Sequence, residues 1–249
     1  MLTLAALVAL QAQPESTQPL VAFPHPLITE VLYAVPTRDG DANKDGTREA
    51  NGDEFIELFN PHDRPIQLRG YTVSGKGPRG TESSAGRAPA KSDKNFSTLR
   101  FTFPTLELEP GGVVVVFNGY GQTWSGPVGD SLHAPEGPNE HFARAKVLSM
   151  KVESARLGLV NTADFVLLTA PSGDRVQCIH WGDIKPPEGV KLVERAASGQ
   201  GSVTRLTPEG ELVAHPSLEG LRFSPGRFPL ITESPQRGPA PREPEAPAR

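Results

Sequence analysis

The chain of 249 residues predicts an all-β fold, an antiparallel β-sandwich with long irregular loops, and three observations carry that prediction. Gly and Pro together make about a fifth of the residues, well above ordinary globular usage. Apolar residues alternate with polar ones in short runs bounded by turn residues. No stretch reads as a convincing amphipathic helix, residues 142–155 coming nearest. With 37% hydrophobic residues, 11 of them Phe, a lean core can form, and a helical bundle, a collagen and a coiled coil are excluded.

The elements follow in order. Residues 27–33 (LITEVLY) read as a first strand. In 55–59 Ile56 and Leu58 share one face while Phe55, Glu57 and Phe59 share the other, the period of two that marks a strand. Asn60, Pro61 and Asp63 then make a turn, because Asn and Asp bond their own backbone and Pro fixes φ. Short strands are expected at 66–68 and 71–74, and a long loop without periodicity at 75–98. Leu99, Phe101 and Phe103 alternate with polar neighbours, as do Leu106 and Leu108 before the turn at Pro110. Residues 113–117 (VVVVF) are apolar throughout, which suits a central strand covered on both faces. A second irregular connection spans 118–145. Residues 164–169 and 176–181, joined by Pro171–Asp174, form a hairpin signal, and 202–206 and 221–223 are the last candidate strands.

The ends differ from this pattern. Residues 1–13 (MLTLAALVALQAQ) read as the apolar region and cleavage zone of a secretory signal, followed by a linker at 14–24. The domain itself is expected over 25–228. The tail 229–249 is Pro-rich and polar, and its burial cannot offset the entropy of ordering it, so it is expected to be disordered. A formal net charge of −4 leaves no basic footprint for nucleic acid. The single cysteine, Cys178, excludes an intramolecular disulfide and a cysteine-built zinc cluster, and its apolar run makes it a small strand residue. Beyond the N-terminus no segment is apolar for long enough to span a bilayer.

Residues 28–31 (ITEV), 53–60 (DEFIELFN) and 66–73 (IQLRGYTV) resemble the opening of the lamin tail domain. So do Leu108–Gly112 before the valine run, Gly201 and Ser202 with Arg205, and the closing Ser224, Pro225 and Gly226. The resemblance spans about residues 25–228, in order. It implies an immunoglobulin-like sandwich serving as a non-catalytic binding or scaffolding module. In that family eukaryotic members sit in nuclear lamins, whereas bacterial members are typically exported, alone or beside hydrolases. The bacterial exported type is the match expected here, placing the chain in the secreted or cell-envelope compartment as a monomer with a protein or polysaccharide partner. No heptad-repeat rod is present, so a filament role does not carry over.

The sharpest local signal is Asp41, Asn43, Asp45 and Gly46, the D-x-[DN]-x-[DN]-G spacing of calcium loops. In that spacing alternate oxygens converge and Gly permits the tight turn. Asp41, Asn43 and Asp45 would supply side-chain oxygens, Thr47 its carbonyl, Glu49 a direct or water-bridged oxygen, with Asp53 and Glu54 just beyond. Gly52 occupies the place of the usual bidentate Glu. The expected Ca2+ site is therefore structural and weak, with a dissociation constant on the order of 10⁻⁴ to 10⁻³ M. The competing reading is a solvated turn whose acids are neutralised by Lys44 and Arg48.

Catalytic signals are sparse. The histidines lack paired metal-binding spacing, and no nucleophile elbow or phosphate-binding loop is present. The rival reading is an enzyme or enzyme accessory domain recruiting His133, His141, Glu136 and Glu140 from the 118–145 loop. A third makes the loop 75–98, with Lys76, Arg79, Arg87, Lys91 and Lys94, a grip for nucleic acid or another anionic polymer. Tyr120 and Trp124 are read as loop anchors ahead of an aromatic binding platform, and Arg205 as an ion-pairing or packing residue.

Overall fold

Two strands that read as purely apolar or alternating pair directly at the centre of the molecule. In the computed structural model, which describes residues 20–76, 99–197 and 199–231, β1 (Leu27–Leu32) and β2 (Phe55–Phe59) run antiparallel from the N-terminal side. The short strands β3 (Ile66–Gln67), β4 (Thr72–Ser74), β5 (Arg100–Thr102) and β6 (Glu107–Leu108) follow. Then come β7 (Val113–Phe117), β8 (Lys146–Ser149), β9 (Asp164–Thr169) and β10 (Arg175–Trp181). The last are β11 (Leu192–Arg195), β12 (Val203–Thr204) and β13 (Val213–Ala214). The expected segments 1–13, most of 14–24, 77–98 and 232–249 lie outside the described residues.

The strands assemble into a six-stranded sheet, β13-β12-β1-β2-β7-β8, and a five-stranded sheet, β11-β10-β9-β4-β5, with β3 and β6 as a separate pair. Most pairings are antiparallel, and the fold is the all-β, immunoglobulin-like sandwich expected. Parallel pairing occurs at two sheet edges, β7 with β8 and β10 with β11. β8 is reached by the long connection 118–145 and β11 by 182–191, neither of them the tight hairpin that joins antiparallel neighbours.

The space between the sheets is filled by Val31, Ile56, Leu58, Val114 and Val116 from one side and Val73, Phe101, Val166, Leu168 and Ile179 from the other. Tyr33 stacks on Trp181 across this layer at 4.0 Å and 12°. Burying each such side chain is worth roughly 1.5–3 kcal/mol. The alternate residues of the six-stranded sheet, Leu32, Phe55, Phe59, Val113, Val115 and Phe117, bury a second face. Its cover comes from Phe142, Ala145, Phe223 and Phe228, with Trp124 and Val128 partly buried. β7 is thus covered on both sides, as its uniform valine run demands.

The helix considered at 142–155 does not form. A single 3₁₀ turn, Glu140–Phe142, is capped by Asn139, whose side chain accepts from the His141 amide. Ala143 and Arg144 then take left-handed φ of 49° and 69°, which end any helix. The chain continues as β8 because Val147 and Leu148 find fully buried places beside β7. Residues 221–223 likewise form no strand; Leu221 bridges Leu218 and Phe223 enters the second-face cluster. Among the described residues no helix is long and apolar enough to cross a membrane.

Candidate functional site

The connection from β1 to β2 carries the acidic motif. Its path is pinned from outside by Arg48, whose guanidinium donates to the carbonyls of Val35 and Pro36 at 2.9 Å each. Lys44 and Gly46 take left-handed φ of 62° and 88°, so the chain winds tightly between the acids. Gly46 meets that demand without a side-chain clash.

The winding brings the motif oxygens together. Asp41 accepts the Asp45 amide on Oδ1 at 3.1 Å and the Gly46 amide on Oδ2 at 2.9 Å. Asn43 Oδ1 accepts the same Asp45 amide at 3.2 Å, while Asn43 Nδ2 donates to Asp45 Oδ2 at 2.9 Å. Asp45 Oδ1 accepts the Thr47 amide at 2.8 Å, and its Oδ2 accepts the Thr123 amide at 3.1 Å. Asp41, Asn43 and Asp45 are therefore neighbours, and Thr47 is tied to them through its backbone.

Asp53 takes a different place. It is fully buried and spends both oxygens on the loop backbone, accepting Ala42 at 2.7 Å and Asn43 at 3.0 Å on Oδ1 and Glu49 at 2.7 Å on Oδ2. Burial pushes its carboxyl up to about 6, against the pull of those three amides. Asp53 thus closes the loop from beneath, and Glu49 is joined to it by amide bonds in both directions.

Neither cation of the motif makes a direct ion pair with these acids, although the Asp41 charge does act on Lys44. Lys44 donates to the His141 carbonyl and stands 5.2 Å over the Phe142 ring, and Arg48 is held by the two carbonyls named above. Asp41, Asp45 and Glu49 make no ion pair with either one. Among the described residues no group of three or more His, Cys, Asp or Glu side chains gathers into a metal cage. The oxygens of this loop come instead from a mixed set that includes Asn43.

The other candidates are dispersed. His133 bonds Asp130 at 3.2 Å, and Asp130 also binds Lys151, which together with the Leu132 amide holds its carboxyl well below the usual range. Glu140 pairs with Arg144, whereas His141 sits in the 3₁₀ turn. Trp124 packs on Phe117 at 5.4 Å and is half-buried, the anchoring role expected of it. Of the loop 75–98 only Gly75 and Lys76 are described, Lys76 donating its amide to Asp164 at 2.8 Å. Thr123 was not signalled by the sequence as a partner of Asp45, because 78 residues separate them.

No protein-family model matches the chain, and comparison with curated proteins finds none similar to it.

Proposed function

We propose that the chain is a non-catalytic, exported binding or scaffolding module of the lamin-tail kind, braced by a structural Ca2+ in the Asp41 loop. The observation that carries the reading is the convergence of Asp41 Oδ1 and Asn43 Oδ1 on one amide, that of Asp45, while Lys44 and Arg48 are engaged elsewhere. Acids wound together without a direct ion pair suit a hard divalent ion, which oxygen ligands hold. Asp41, Asn43 and Asp45 would coordinate through side chains, Thr47 through its carbonyl and Glu49 directly or through water, with Asp53 fixing the loop. The stretches that carry the lamin-tail resemblance also meet in space. Glu30 and Glu57 are register partners, and Ser202, Ser224 and Gly226 bond to them. That supports reading those motif residues as parts of one scaffold, with recognition left to the loops and to a protein or polysaccharide partner.

Thermal melting of the full chain tests the proposal. Millimolar calcium should raise the melting temperature relative to a chelator, and Asp45→Ala should abolish the shift. A wild-type melting temperature indifferent to calcium refutes the brace. Turnover of any ester, glycoside or phosphodiester substrate that Asp45→Ala leaves intact would refute the non-catalytic reading.

A further inference from the structure

Glu30 and Glu57 stand opposite each other on β1 and β2, both buried, and share their surroundings with residues from the far end of the chain. Glu30 Oε1 accepts from Ser202 Oγ at 2.6 Å and from the Ser224 amide at 2.9 Å. Glu57 accepts from Thr29 Oγ1 on Oε1 and from the Gly226 amide on Oε2, each at 2.7 Å. Gly226 has φ of 86°, and a Cβ there would stand 2.2 Å from the Phe142 carbonyl oxygen, so a glycine makes this contact. Ser224 Oγ lies 3.0 Å from Glu30 Oε2 and 2.8 Å from His215 Nε2, and His215 Nδ1 bonds the Pro216 carbonyl. The charged or titratable groups facing Glu30 among the described residues are Glu57, from β2, and His215, 4.0 Å away. Arg205 is engaged by Glu194 and by the carbonyls of Ile28 and Gly210.

Counting hydrogens restricts this network to two states. The Pro216 carbonyl only accepts, so Nδ1 of His215 carries a hydrogen. Ser224 has one hydroxyl hydrogen to give. If it goes to Glu30, His215 Nε2 must donate to Ser224 Oγ, and the ring is a cation beside a carboxylate. If it goes to His215, Glu30 must donate to Ser224 Oγ and is a neutral acid. Burial selects the second state, pushing the Glu30 carboxyl up and holding the His215 imidazole below its ordinary value. Burial, reinforced by Glu30, also pushes Glu57 up.

We propose that Glu30, Ser224 and His215 share one movable proton, and that this proton latches the C-terminal strap, residues 215–228, onto the second face of the six-stranded sheet. Loss of the proton leaves the Glu30 carboxylate buried opposite Glu57 and a His215 lone pair facing the Ser224 oxygen with no hydrogen between them. Charge on the carboxylates strengthens the hydrogen bonds donated by the Ser224 and Gly226 amides. The desolvation cost of an uncompensated buried charge exceeds that gain, so release wins. Both carboxyls are raised in the folded chain, hence their stabilisation is complete below the ordinary carboxylate range and is lost as pH rises through neutrality. His215 is lowered, so its own contribution runs the other way: it is complete above the ordinary imidazole value and weakens only at the acid end of the window, where it opposes the carboxyl effect. The latch is independent of the calcium proposal.

The test compares melting temperatures of the full wild-type chain and Glu30→Gln between pH 6 and pH 9. The amide introduced by that substitution can accept from Ser202 and donate to Ser224 as the neutral acid does, so the variant's melting temperature should fall measurably less with pH than that of the wild type. Equal falls overturn the latch. Other buried carboxyls such as Asp164 bend both curves alike. Should Glu30→Gln fail to fold, hydrogen exchange of the wild type, corrected for intrinsic rates, decides. Protection of the Ser224 and Gly226 amides should collapse at pH 9 while that of the β9–β10 pairing persists; uniform protection at both pH values overturns the proposal.

Discussion

Gln177, on β10 of the five-stranded sheet, holds the backbone of Ile28, on β1 of the six-stranded sheet, by two hydrogen bonds through the core. Its Oε1 accepts the Ile28 amide at 2.7 Å and its Nε2 donates to the Ile28 carbonyl at 3.3 Å. The pairing register of β1 slips between Ile28 and Glu30, a bulge that leaves the ladder irregular beside this clamp. Gln177→Leu keeps the volume and strands the buried Ile28 amide, whereas the Ile28 carbonyl keeps Arg205 as a donor. An orphaned buried amide costs about 1–3 kcal/mol, so the substitution should destabilise the chain by about that amount in denaturant unfolding. A loss below about 0.5 kcal/mol would show that the clamp is dispensable.

Arg205 continues the same polar bridge. Its side chain is fully buried and pairs with Glu194, which also accepts from Gln177 Nε2 at 2.8 Å. Arg205→Met leaves Glu194 unpaired and should cost about 3 kcal/mol. Adding Glu194→Gln should recover part of that loss, because the abandoned charge is what costs. A double variant no more stable than Arg205→Met would contradict the assignment.

Cys178 lies fully buried in β10, and burial pushes its thiol up to about 12. The thiolate is the reactive form, so the native chain should resist a disulfide reagent at pH 8 and react at once when unfolded in guanidinium. Rapid stoichiometric labelling of the native chain would mean that β10 opens freely.

How far the sequence reaches differs between elements. The valine run 113–117 announces a strand covered on both faces, and β7 is one, because an uninterrupted apolar run has no other way to avoid water. The signals at 164–181 likewise produce the β9–β10 hairpin. β8, β11 and β13 carry no sequence signal because each is a short edge strand; β13 is two exposed residues and β11 alternates only between exposed and half-buried positions. Periodicity puts Glu57 with Phe55 and Phe59, yet says nothing of Gly226, which meets it from 169 residues away. In the acidic loop the spacing of Asp41, Asn43 and Asp45 was legible, since that contact is local. The closure by Asp53 with both oxygens on backbone amides was not, because amide directions are set only once the loop is wound.

Energy transfer to terbium, a luminescent ion that takes calcium's oxygen ligands, tests the central claim most directly. Trp124 follows Thr123, whose amide binds Asp45, so an ion in the loop lies near an indole donor. Exciting tryptophan in the full chain should give terbium emission that saturates, is displaced by millimolar calcium, falls in Trp124→Phe and vanishes in Asp45→Ala. Emission that is absent, or that survives Asp45→Ala unchanged, would contradict a metal-braced Asp41 loop.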